Sequence, residues 1–404
     1  MRSQFGLNGL TFFTAAVQAG FGPFIAVWLT REGWSVTDLG VALSVGTFAA
    51  LVAQLPGGML VDQVHGKRIA AVGALLTMAV AALALCVSPI APVVWGAEIL
   101  HALASSVMTP VIAALTLTVC GHAAFGERLG LNTRYGALGN AAAAAILGAA
   151  ASYVSQRSVF FVTAALVVPA MVSLWLIRDD RAVGVANGHS ALKHPKDREH
   201  WPWQIFAEPS LHIFAVAAVL FQLANASLLP FALNELTRRH DAPGYLVSAT
   251  IIVPQVITAM FAPWAGRLAQ SIGRRPVLMA GFAAVPIRAL LFAFLPGALP
   301  LAAFQALDGV SAAVFGLMLP LIAADATKRT GYLNLAIGSL GLASGLGATF
   351  STAVAGLIAQ AFGIRAMFLM LGAVGTAAVA LLWLAMPETR PLRAPDGRGA
   401  IQPA

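Results

Sequence analysis

Charged residues are scarce in this 404-residue chain: Asp, Glu, Lys and Arg make up 10% of it, while 59% is hydrophobic. A soluble domain carries about 25% charged residues, because polar side chains must cover its water-facing surface. This chain has too few of them for that purpose. The composition therefore excludes an ordinary soluble enzyme and predicts a protein that lies largely in a lipid bilayer.

Further absences exclude other classes of function. The chain has two cysteines, Cys86 and Cys120, and both fall in or beside apolar segments, where we expect them to pack rather than pair. It has no Gly-x-x-x-x-Gly-Lys-Ser/Thr phosphate-binding loop, so we do not expect it to hydrolyse ATP. It shows no metal-ligand cluster and no nucleophile triad, so we expect no metal, no cofactor and no enzymatic activity.

What the chain does have is a series of apolar blocks of about 20 residues, the length that crosses about 30 Å of hydrocarbon. Polar Gln18 and the absence of a small-residue cleavage site favour a retained first span over a signal peptide. The predicted fold class is an all-α membrane protein with twelve transmembrane helices. We place the spans at 7–29, 38–61, 69–88, 92–119, 133–154, 158–177, 211–234, 244–266, 276–296, 299–323, 334–361 and 366–386.

The basic residues are distributed unevenly between the two sides of these spans. The formal net charge is +8, but most Lys and Arg fall on the side of the N-terminus. The exceptions are Arg31, Arg157, Arg238, Arg239 and Arg365 on the other side, and Arg288 within a span. Basic residues concentrate on the cytoplasmic side of membrane proteins. We therefore expect both termini in the cytoplasm and the cell (inner) membrane as the location. We expect the basic residues to contact anionic lipid rather than nucleic acid.

The chain divides near its middle at its most polar stretch, from Arg178 to about Glu208. We predict an N-terminal six-helix half at 1–178, a cytoplasmic linker at 179–208 with a short interfacial helix near 201–206, a C-terminal six-helix half at 209–390 and a cytoplasmic tail at 391–404.

The two halves repeat one another. Gln18-Ala19, Pro23-Phe24 and Leu29-Thr30-Arg31 recur at an offset of 207 as Asn225-Ala226, Pro230-Phe231 and Leu236-Thr237-Arg238. Leu100-His101-Ala102 recurs at the same offset as Leu307-Asp308-Gly309. Two parallel repeats about an axis along the membrane normal predict a substrate path between them.

Two loops extend this repeat and carry a family resemblance. The first reads Gly58-Met59-Leu60-Val61-Asp62-Gln63-Val64-His65-Gly66-Lys67-Arg68, and the second reads Gly266-Arg267-Leu268-Ala269-Gln270-Ser271-Ile272-Gly273-Arg274-Arg275. The chain resembles the major facilitator superfamily, whose signature is Gly-x-Leu-x-Asp leading to Gly and basic residues. The second copy departs by having Gln for Asp, and the first by having His65 where Gly is expected. Pro387-Glu388-Thr389 is similar to the family's common end of the last helix.

The glycines of these loops allow tight turns, and their basic residues meet anionic headgroups. Asp62 stands at a helix end, where it can accept hydrogen bonds from the N-terminus of a neighbouring helix. The resemblance implies that these loops lock the halves in an outward-facing state; the alternative is a simple charged turn. The predicted gating residues are Gly58, Asp62, Gly66, Lys67, Arg68, Gly266, Gly273, Arg274 and Arg275.

Polar residues inside spans are the remaining candidates, because such groups face a cavity or a partner. The resemblance implies that the first, fourth, seventh and tenth helices line a central cavity, and these helices hold Gln18, Glu98, His101, Asn225, Gln305 and Asp308. Alternatives stay open: Glu98 reaching the headgroups, and His101 being a satisfied interhelical donor. We expect a structural role for Arg288, either extending to the surface or pairing with an acid such as Asp308.

Secondary active transport of a small solute, proton-coupled and with efflux favoured, is the leading functional hypothesis, with the chain acting as a monomer. The alternative is uptake or uniport of an organic ion or nutrient, with Asp308 and Glu98 as ligands. The fourth and fifth helices lack the Arg and Gly-Pro signatures of many drug:proton antiporters of the family. A membrane enzyme or receptor would need a large polar domain or a catalytic cluster, and the sequence shows neither.

Overall fold

The computed structural model describes residues 2–21, 23–64, 66–177, 202–232, 244–295, 297–328 and 330–389. Within these ranges the chain is almost entirely helical and forms no strand. His65, the repeat residues Leu236 to Arg238, most of the predicted linker at 179–208 and the tail at 391–404 lie outside the described residues. The end of that linker forms a short 3-10 helix, Pro202–Ala207.

The helices of the N-terminal half are α1 (Arg2–Ala19), α2 (Pro23–Arg31), α3 (Val36–Gln63), α4 (Lys67–Val87), α5 (Ala91–Tyr153) and α6 (Ser158–Leu176). Those of the C-terminal half are α7 (Pro209–Asn225), α8 (Gly244–Ser271), α9 (Arg274–Phe294), α10 (Ala298–Ala326), α11 (Leu333–Phe362) and α12 (Ile364–Ala385). We call the membrane face where α1 begins and α12 ends the terminal face.

Nine of the described helical segments are long and apolar enough to cross a membrane. The helical membrane fold is thus confirmed, while the count of twelve spans stays a prediction. One of the nine, α5, has 63 residues and covers both the fourth and the fifth predicted span. It bends at Gly121, where φ is 67° and ψ is 176°. Because glycine adopts this conformation without strain, the two spans join without the loop that the sequence predicted at 120–132.

The first and seventh predicted spans are both interrupted. The first breaks after α1 at Gly20 and Phe21, and resumes at Pro23 as α2. The seventh breaks after α7 at Ala226 and Ser227, and resumes as a short helical segment at 228–232. The interruptions therefore follow Gln18 and Asn225, the polar residues that the repeat aligns.

The repeat also appears in the packing of glycines inside each half. A Cβ atom added at Gly139 of α5 would lie 2.2 Å from the main-chain oxygen of Phe12 in α1. Its counterpart at Gly347 of α11 would lie 2.3 Å from the main-chain oxygen of Val219 in α7. Only glycine allows such close approach of two helices, and the two contacts occupy equivalent places in the two halves.

Each half has a hydrophobic core of its own. One cluster of buried residues extends from Leu7 to Ile177, and the other from Ile205 to Met386 with four residues of α5 added.

Candidate functional site

A cavity of about 570 Å³ lies between the two halves, bounded by α1, both parts of α5, the segment at 228–232, α8 and α10. Asp308 is the only charged residue among the described residues that line it. The other polar lining residues are uncharged: Thr11, Thr109, Asn132, Thr133, Asn140, Thr250, Gln255 and Thr258. The cavity therefore offers hydroxyl and amide groups for hydrogen bonds, and a single carboxylate.

Arg288 of α9 forms an ion pair with that carboxylate and is itself buried. Its Nη1 lies 2.5 Å from Asp308 Oδ1 and donates to Gln305 Oε1 at 2.9 Å. Its Nη2 donates to Asn225 Oδ1 at 2.5 Å. The guanidinium also lies over the ring of Phe292, 5.9 Å from its centroid. Three of the predicted cavity residues, from α7 and α10, thus gather around one cation.

The burial of the two charges differs. The side chain of Arg288 is 2% exposed, whereas that of Asp308 is 24% exposed toward the cavity. A buried arginine is costly in a membrane unless its donors are matched by acceptors. Here one carboxylate and two amides supply them, although Arg288 Nε has no partner among the described residues. Of the two alternatives for Arg288, the structure shows pairing with Asp308.

Glu98 and His101 lie elsewhere, within the N-terminal half. The Glu98 side chain is buried against Gly46 of α3, and its Oε1 has no hydrogen-bond partner among the described residues. His101 stacks on Phe21 with ring centroids 3.9 Å apart, and its Nε2 lies 3.1 Å from Ser105 Oγ. Neither side chain lines the 570 Å³ cavity, and neither does Gln18. The structure therefore does not bring these three predicted cavity residues to the Asp308 site.

At the terminal face, Asp62 joins the two halves. Its Oδ1 accepts a hydrogen bond from Asn334 Nδ2 at 2.9 Å, and its Oδ2 accepts one from the Leu335 main-chain N at 2.8 Å. Both donors belong to the first turn of α11, where unsatisfied main-chain N–H groups favour an anion. Asp62 is buried, at 2% exposure. We call Asp62, Asn334, Leu335 and the adjacent Gly58 the first contact; a Cβ atom at Gly58 would lie 2.2 Å from the Asn334 main-chain oxygen.

An equivalent second contact joins α8 to the second part of α5, and consists of Gly266, Gln270 and Gly126. A Cβ atom at Gly266 would lie 2.5 Å from the main-chain oxygen of Gly126. Gln270, which stands where the first contact has Asp62, packs against Gly126, and its Nε2 has no hydrogen-bond partner among the described residues. The second contact thus keeps the close approach of the helices but lacks the carboxylate.

The basic residues after each contact tie neighbouring helices within their own half. Arg274 pairs with Asp325 of α10, with Nε and Oδ2 3.1 Å apart, and both side chains are buried. Glu388 accepts hydrogen bonds from the main-chain N of Arg274 at 2.8 Å and of Arg275 at 3.1 Å. Arg275 donates to the Trp383 main-chain oxygen. Gly273, at φ 113°, supplies the turn that lets Glu388 reach them.

The first loop is held in the same manner. Arg68 Nη2 donates to the main-chain oxygens of Leu174 and Trp175 in α6, at 3.2 and 3.1 Å. Lys67 Nζ donates to the main-chain oxygens of Val61 and Val64 at the end of α3. Gly66 precedes α4 as its N-cap residue.

Sequence reasoning missed two partners in these contacts. Asn334 was not singled out, although it is the first residue of the predicted span 334–361 and aligns with Gly126 at the offset of 208 that relates the two loops. Asp325 was overlooked at the end of α10, where it lies three residues before Lys328 and pairs with it at 2.9 Å. The signal for both was an unexplained polar residue at the boundary of an apolar segment.

Comparisons with known proteins agree on the family. The model of the MFS_1 like family matches residues 5–370. An MFS-type transporter of Mycobacterium tuberculosis strain H37Rv, itself described as uncharacterised, is 34% identical over 401 residues, covering 95% of this chain and 93% of the relative. The multi-drug resistance efflux pump PmrA of Streptococcus pneumoniae strain R6 is 28% identical over 144 residues, covering 36% of each chain.

The fold has a counterpart among solved structures. The MFS proton:xylose symporter XylE, bound to 6-bromo-6-deoxy-D-glucose, superposes with a TM-score of 0.74 at 13% identity, covering 96% of this chain and 95% of that one. With the helical fold, the paired contacts and the family match taken together, the chain belongs to the major facilitator superfamily of integral membrane transporters, which are not enzymes.

Proposed function

We propose that this transporter moves a small solute across the cell membrane by alternating access, in exchange for or together with protons, and that it acts as a monomer. The observation that supports proton coupling is the ion pair between Asp308, which lines the cavity, and buried Arg288. A carboxylate reached by water on one side and held by a buried cation on the other has two states, paired and protonated. Each state leaves a different charge at the centre of the bundle.

Protonation of Asp308 would change more than its own contacts. Arg288 also donates to Gln305 in α10 and to Asn225 at the end of α7, immediately before the interruption at Ala226. A proton on Asp308 neutralises the carboxylate, so the amide oxygens of Gln305 and Asn225 remain as the hydrogen-bond acceptors of Arg288. The relative positions of α7, α9 and α10 then differ between the two states, which links the proton to the interrupted helix.

We further propose that the first and second contacts are the gate at the terminal face. In the structure these contacts hold α3 against α11, and α5 against α8. Opening toward the terminal face requires Asp62 to release the N-terminus of α11. The alternative, in which the loops are simple charged turns, predicts that the loss of Asp62 leaves the accessibility of the cavity unchanged.

The lining of the cavity indicates the class of solute. Apart from Asp308, the described lining is hydroxyl, amide and apolar, which suits a solute that is uncharged or carries one positive charge. Efflux is favoured over uptake by the partial likeness to PmrA, which is named as an efflux pump. The alternative is uptake or uniport of an organic ion or nutrient, with Asp308 as its ligand. Glu98, which that hypothesis also named, lies away from the cavity.

Asp308→Asn separates the two hypotheses, because it keeps size and hydrogen bonding while removing titration. In proteoliposomes tested with lipophilic cations and monosaccharides, proton coupling predicts that the variant loses pH-driven accumulation but retains exchange down the solute gradient. A substrate-ligand role predicts weaker binding at every pH and impaired exchange. If gradient-driven transport is unchanged at matched protein level, Asp308 has neither role.

Orientation is the remaining part of the proposal: the terminal face is cytoplasmic. The distribution of basic residues supports this orientation. Reporter fusions after the C-terminus and within the 178–208 segment should be active only as cytoplasmic reporters. A periplasmic signal from that segment would overturn the assignment of the helices.

A further inference from the structure

Two grooves lie along α3, away from the terminal face. The first, of about 590 Å³, lies between α3 and α11 and therefore between the two halves; its lining includes Ser44, Thr47, Phe48, Gln54, Gly341 and Thr349. The second, of about 820 Å³, lies between α3 and α5; its lining includes Val41, Ser44, Phe48, Pro56, Ile99 and Leu103. Ser44 and Phe48 line both, so the grooves adjoin.

The chemistry of the two grooves differs. The α3–α11 groove carries hydroxyl and amide groups, and no charged residue is found among its described lining. Ser44 is the single polar residue of the α3–α5 groove, whose other described lining residues are apolar. Phe48, which lies between the two, is 68% exposed. An uncharged polar compartment therefore adjoins an apolar one within the membrane.

Gln54 lines the polar groove and is partly buried. Its Oε1 would be 2.5 Å from a Cβ atom at Gly341, and its side chain makes no hydrogen bond among the described residues. Thr47 and Thr349 are exposed in the same groove, and each donates to a main-chain oxygen of its own helix, at 2.9 and 2.8 Å. Their hydroxyl oxygens can still accept hydrogen bonds. An amide without a partner inside a membrane protein is costly unless a ligand or water satisfies it.

We propose that these adjoining grooves bind a single-chain amphiphile with an uncharged hydrogen-bonding head group. The head lies in the α3–α11 groove, where Gln54 and the threonine hydroxyls receive it. The hydrocarbon chain passes Phe48 into the α3–α5 groove. The polar groove adjoins the apolar α3–α5 groove at Ser44 and Phe48, and this single apolar neighbour favours one hydrocarbon chain over two.

The site has a consequence for transport, because α3 and α11 belong to different halves. A ligand that fills the space between them holds the halves at the separation seen in this structure. Binding itself is independent of the proposed proton coupling, since Asp308 and Arg288 do not line either groove.

Photo-crosslinking tests the proposal directly. The purified full-length protein in nanodiscs is labelled with a monoacylglycerol that carries a diazirine in its acyl chain, and labelled peptides are mapped by mass spectrometry. We expect label on the α3 residues 41–56 and on α5 near Ile99 and Leu103, and competition by unlabelled monoacylglycerol. A diacyl phosphatidylcholine analogue with the same diazirine should label these positions far less selectively.

Two variants with a matched control sharpen the test. Gln54→Leu and Thr349→Val each remove one polar group at similar volume, and each should weaken competitive binding by about threefold to tenfold, as expected for one lost hydrogen bond. Thr77→Val is the control, because Thr77 is partly exposed on α4, lines neither groove and donates to the Gly73 main-chain oxygen at 2.8 Å, as Thr349 does to that of Gly345. Size-exclusion profiles and thermal stability establish that each variant is folded.

Several outcomes would overturn the proposal. Label spread evenly over the outward-facing helices would mean that the grooves contact only bulk lipid. Equal selectivity of the phosphatidylcholine analogue would contradict the single-chain class. If folded Gln54→Leu and Thr349→Val bind as wild type does, the head group does not lie in the α3–α11 groove. None of these results depends on Asp308→Asn, so the failure of this proposal and the failure of proton coupling are distinguishable.

Discussion

The two halves of this transporter hold polar residues at equivalent positions but organise them differently. At the common offset of 207, Gln18, Glu98 and His101 correspond to Asn225, Gln305 and Asp308. In the C-terminal half, Arg288 draws these residues into one network. The helices α4 and α9 align at the same offset, which places buried Ala81 where the other half has Arg288. The N-terminal half has no cation at this position, and there Glu98 packs against Gly46 while His101 stacks on Phe21.

The difference teaches that one residue decides whether a set of polar positions becomes a network. Each half offers an acidic side chain, a further polar side chain on the same helix and an amide beside an interrupted helix. Only the half with Arg288 gathers its polar groups at the cavity. At the proposed gate the charged residue belongs to the other half. The N-terminal half supplies the carboxylate Asp62, and the C-terminal half has Gln270 at the equivalent position.

The largest effect is expected from Arg288→Met, which removes the cation but retains much of the volume. Asp308, Gln305 and Asn225 then lose their common donor, and Asp308 loses its counter-ion. Breaking one partner of a buried pair costs about 3 kcal/mol or more, so we expect transport to fall to background and thermal stability to drop. Vesicle transport and thermal unfolding of the purified protein measure the two effects.

The double variant Arg288→Met with Asp308→Asn is the control, because it leaves no unpaired charge. It should recover most of the lost stability while remaining uncoupled from the pH gradient. If Arg288→Met alone transports as wild type does, the network around this cation has no function, and the contrast between the halves is only structural.

The next largest effect is expected at the gate, where Asp62→Ala should exceed Gln270→Ala. Asp62→Ala removes two hydrogen bonds to a charged acceptor, each worth about 1.5 kcal/mol or more. We therefore expect the cavity to become at least about tenfold more accessible from the terminal face. Modification of a Thr133→Cys reporter by an impermeant maleimide, with Cys86 and Cys120 replaced by Ser, measures that accessibility.

Gln270→Ala should change the same rate by less than about threefold, since the Gln270 amide nitrogen has no hydrogen-bond partner among the residues that the structure describes. Membrane insertion should be normal in both variants. An Asp62→Ala rate equal to that of wild type would reduce Asp62 to an ordinary turn residue.

A smaller and symmetrical effect is expected from Gly58→Ala and Gly266→Ala. The added methyl groups would meet main-chain oxygens at 2.2 and 2.5 Å, so the helices must separate at both contacts. Overpacking of this kind costs about 1–3 kcal/mol, and the accessibility assay should register both variants alike. Gly73→Ala and Gly96→Ala are matched controls on α4 and α5, where the added Cβ meets nothing within 4 Å. An effect in these controls as large as that at Gly58 would remove the basis for the paired gate.

The smallest effect is expected from Glu98→Gln. Glu98 is buried against Gly46 away from the cavity, so its amide should preserve pH-driven accumulation to within about twofold. An exchange assay and an accumulation assay at matched protein level test this. Loss of accumulation in Glu98→Gln, with Asp308→Asn unaffected, would reverse the assignment and move coupling to the N-terminal half.

The sequence predicted those features that depend on local patterns. Apolar length indicated a helical membrane fold, and the fixed offset located the repeat, but neither indicated the interruptions after Gln18 and Asn225. It also placed Asp62 at a helix end, because a short polar side chain beside a turn is a local signal. The resemblance to the major facilitator superfamily, read from the two loops, is confirmed by the family match.

What the sequence could not give is the direction in which side chains at equal depth point. Glu98 and Asp308 belong to matching repeats, and their polarity within spans, together with the family resemblance, favoured both as cavity residues. The structure turns Glu98 toward α3 and Asp308 toward the cavity. For Arg288 the sequence left two alternatives open, extension to the surface and pairing with Asp308, and the structure shows the pairing, with the side chain reaching inward to α7 and α10. The direction of the side chain, which has no linear signature, decided both cases.

Infrared difference spectroscopy during a pH titration tests the central claim most directly, because it observes the proton on Asp308 without a substrate. In purified protein reconstituted into lipid, wild type should show the carbonyl band of a protonated carboxylic acid that grows as the pH is lowered. Asp308→Asn should lose one component of that band, while the components from the other carboxylic acids remain. A band that persists unchanged in Asp308→Asn, at equal protein content, would show that the titrating group lies elsewhere and would contradict this account.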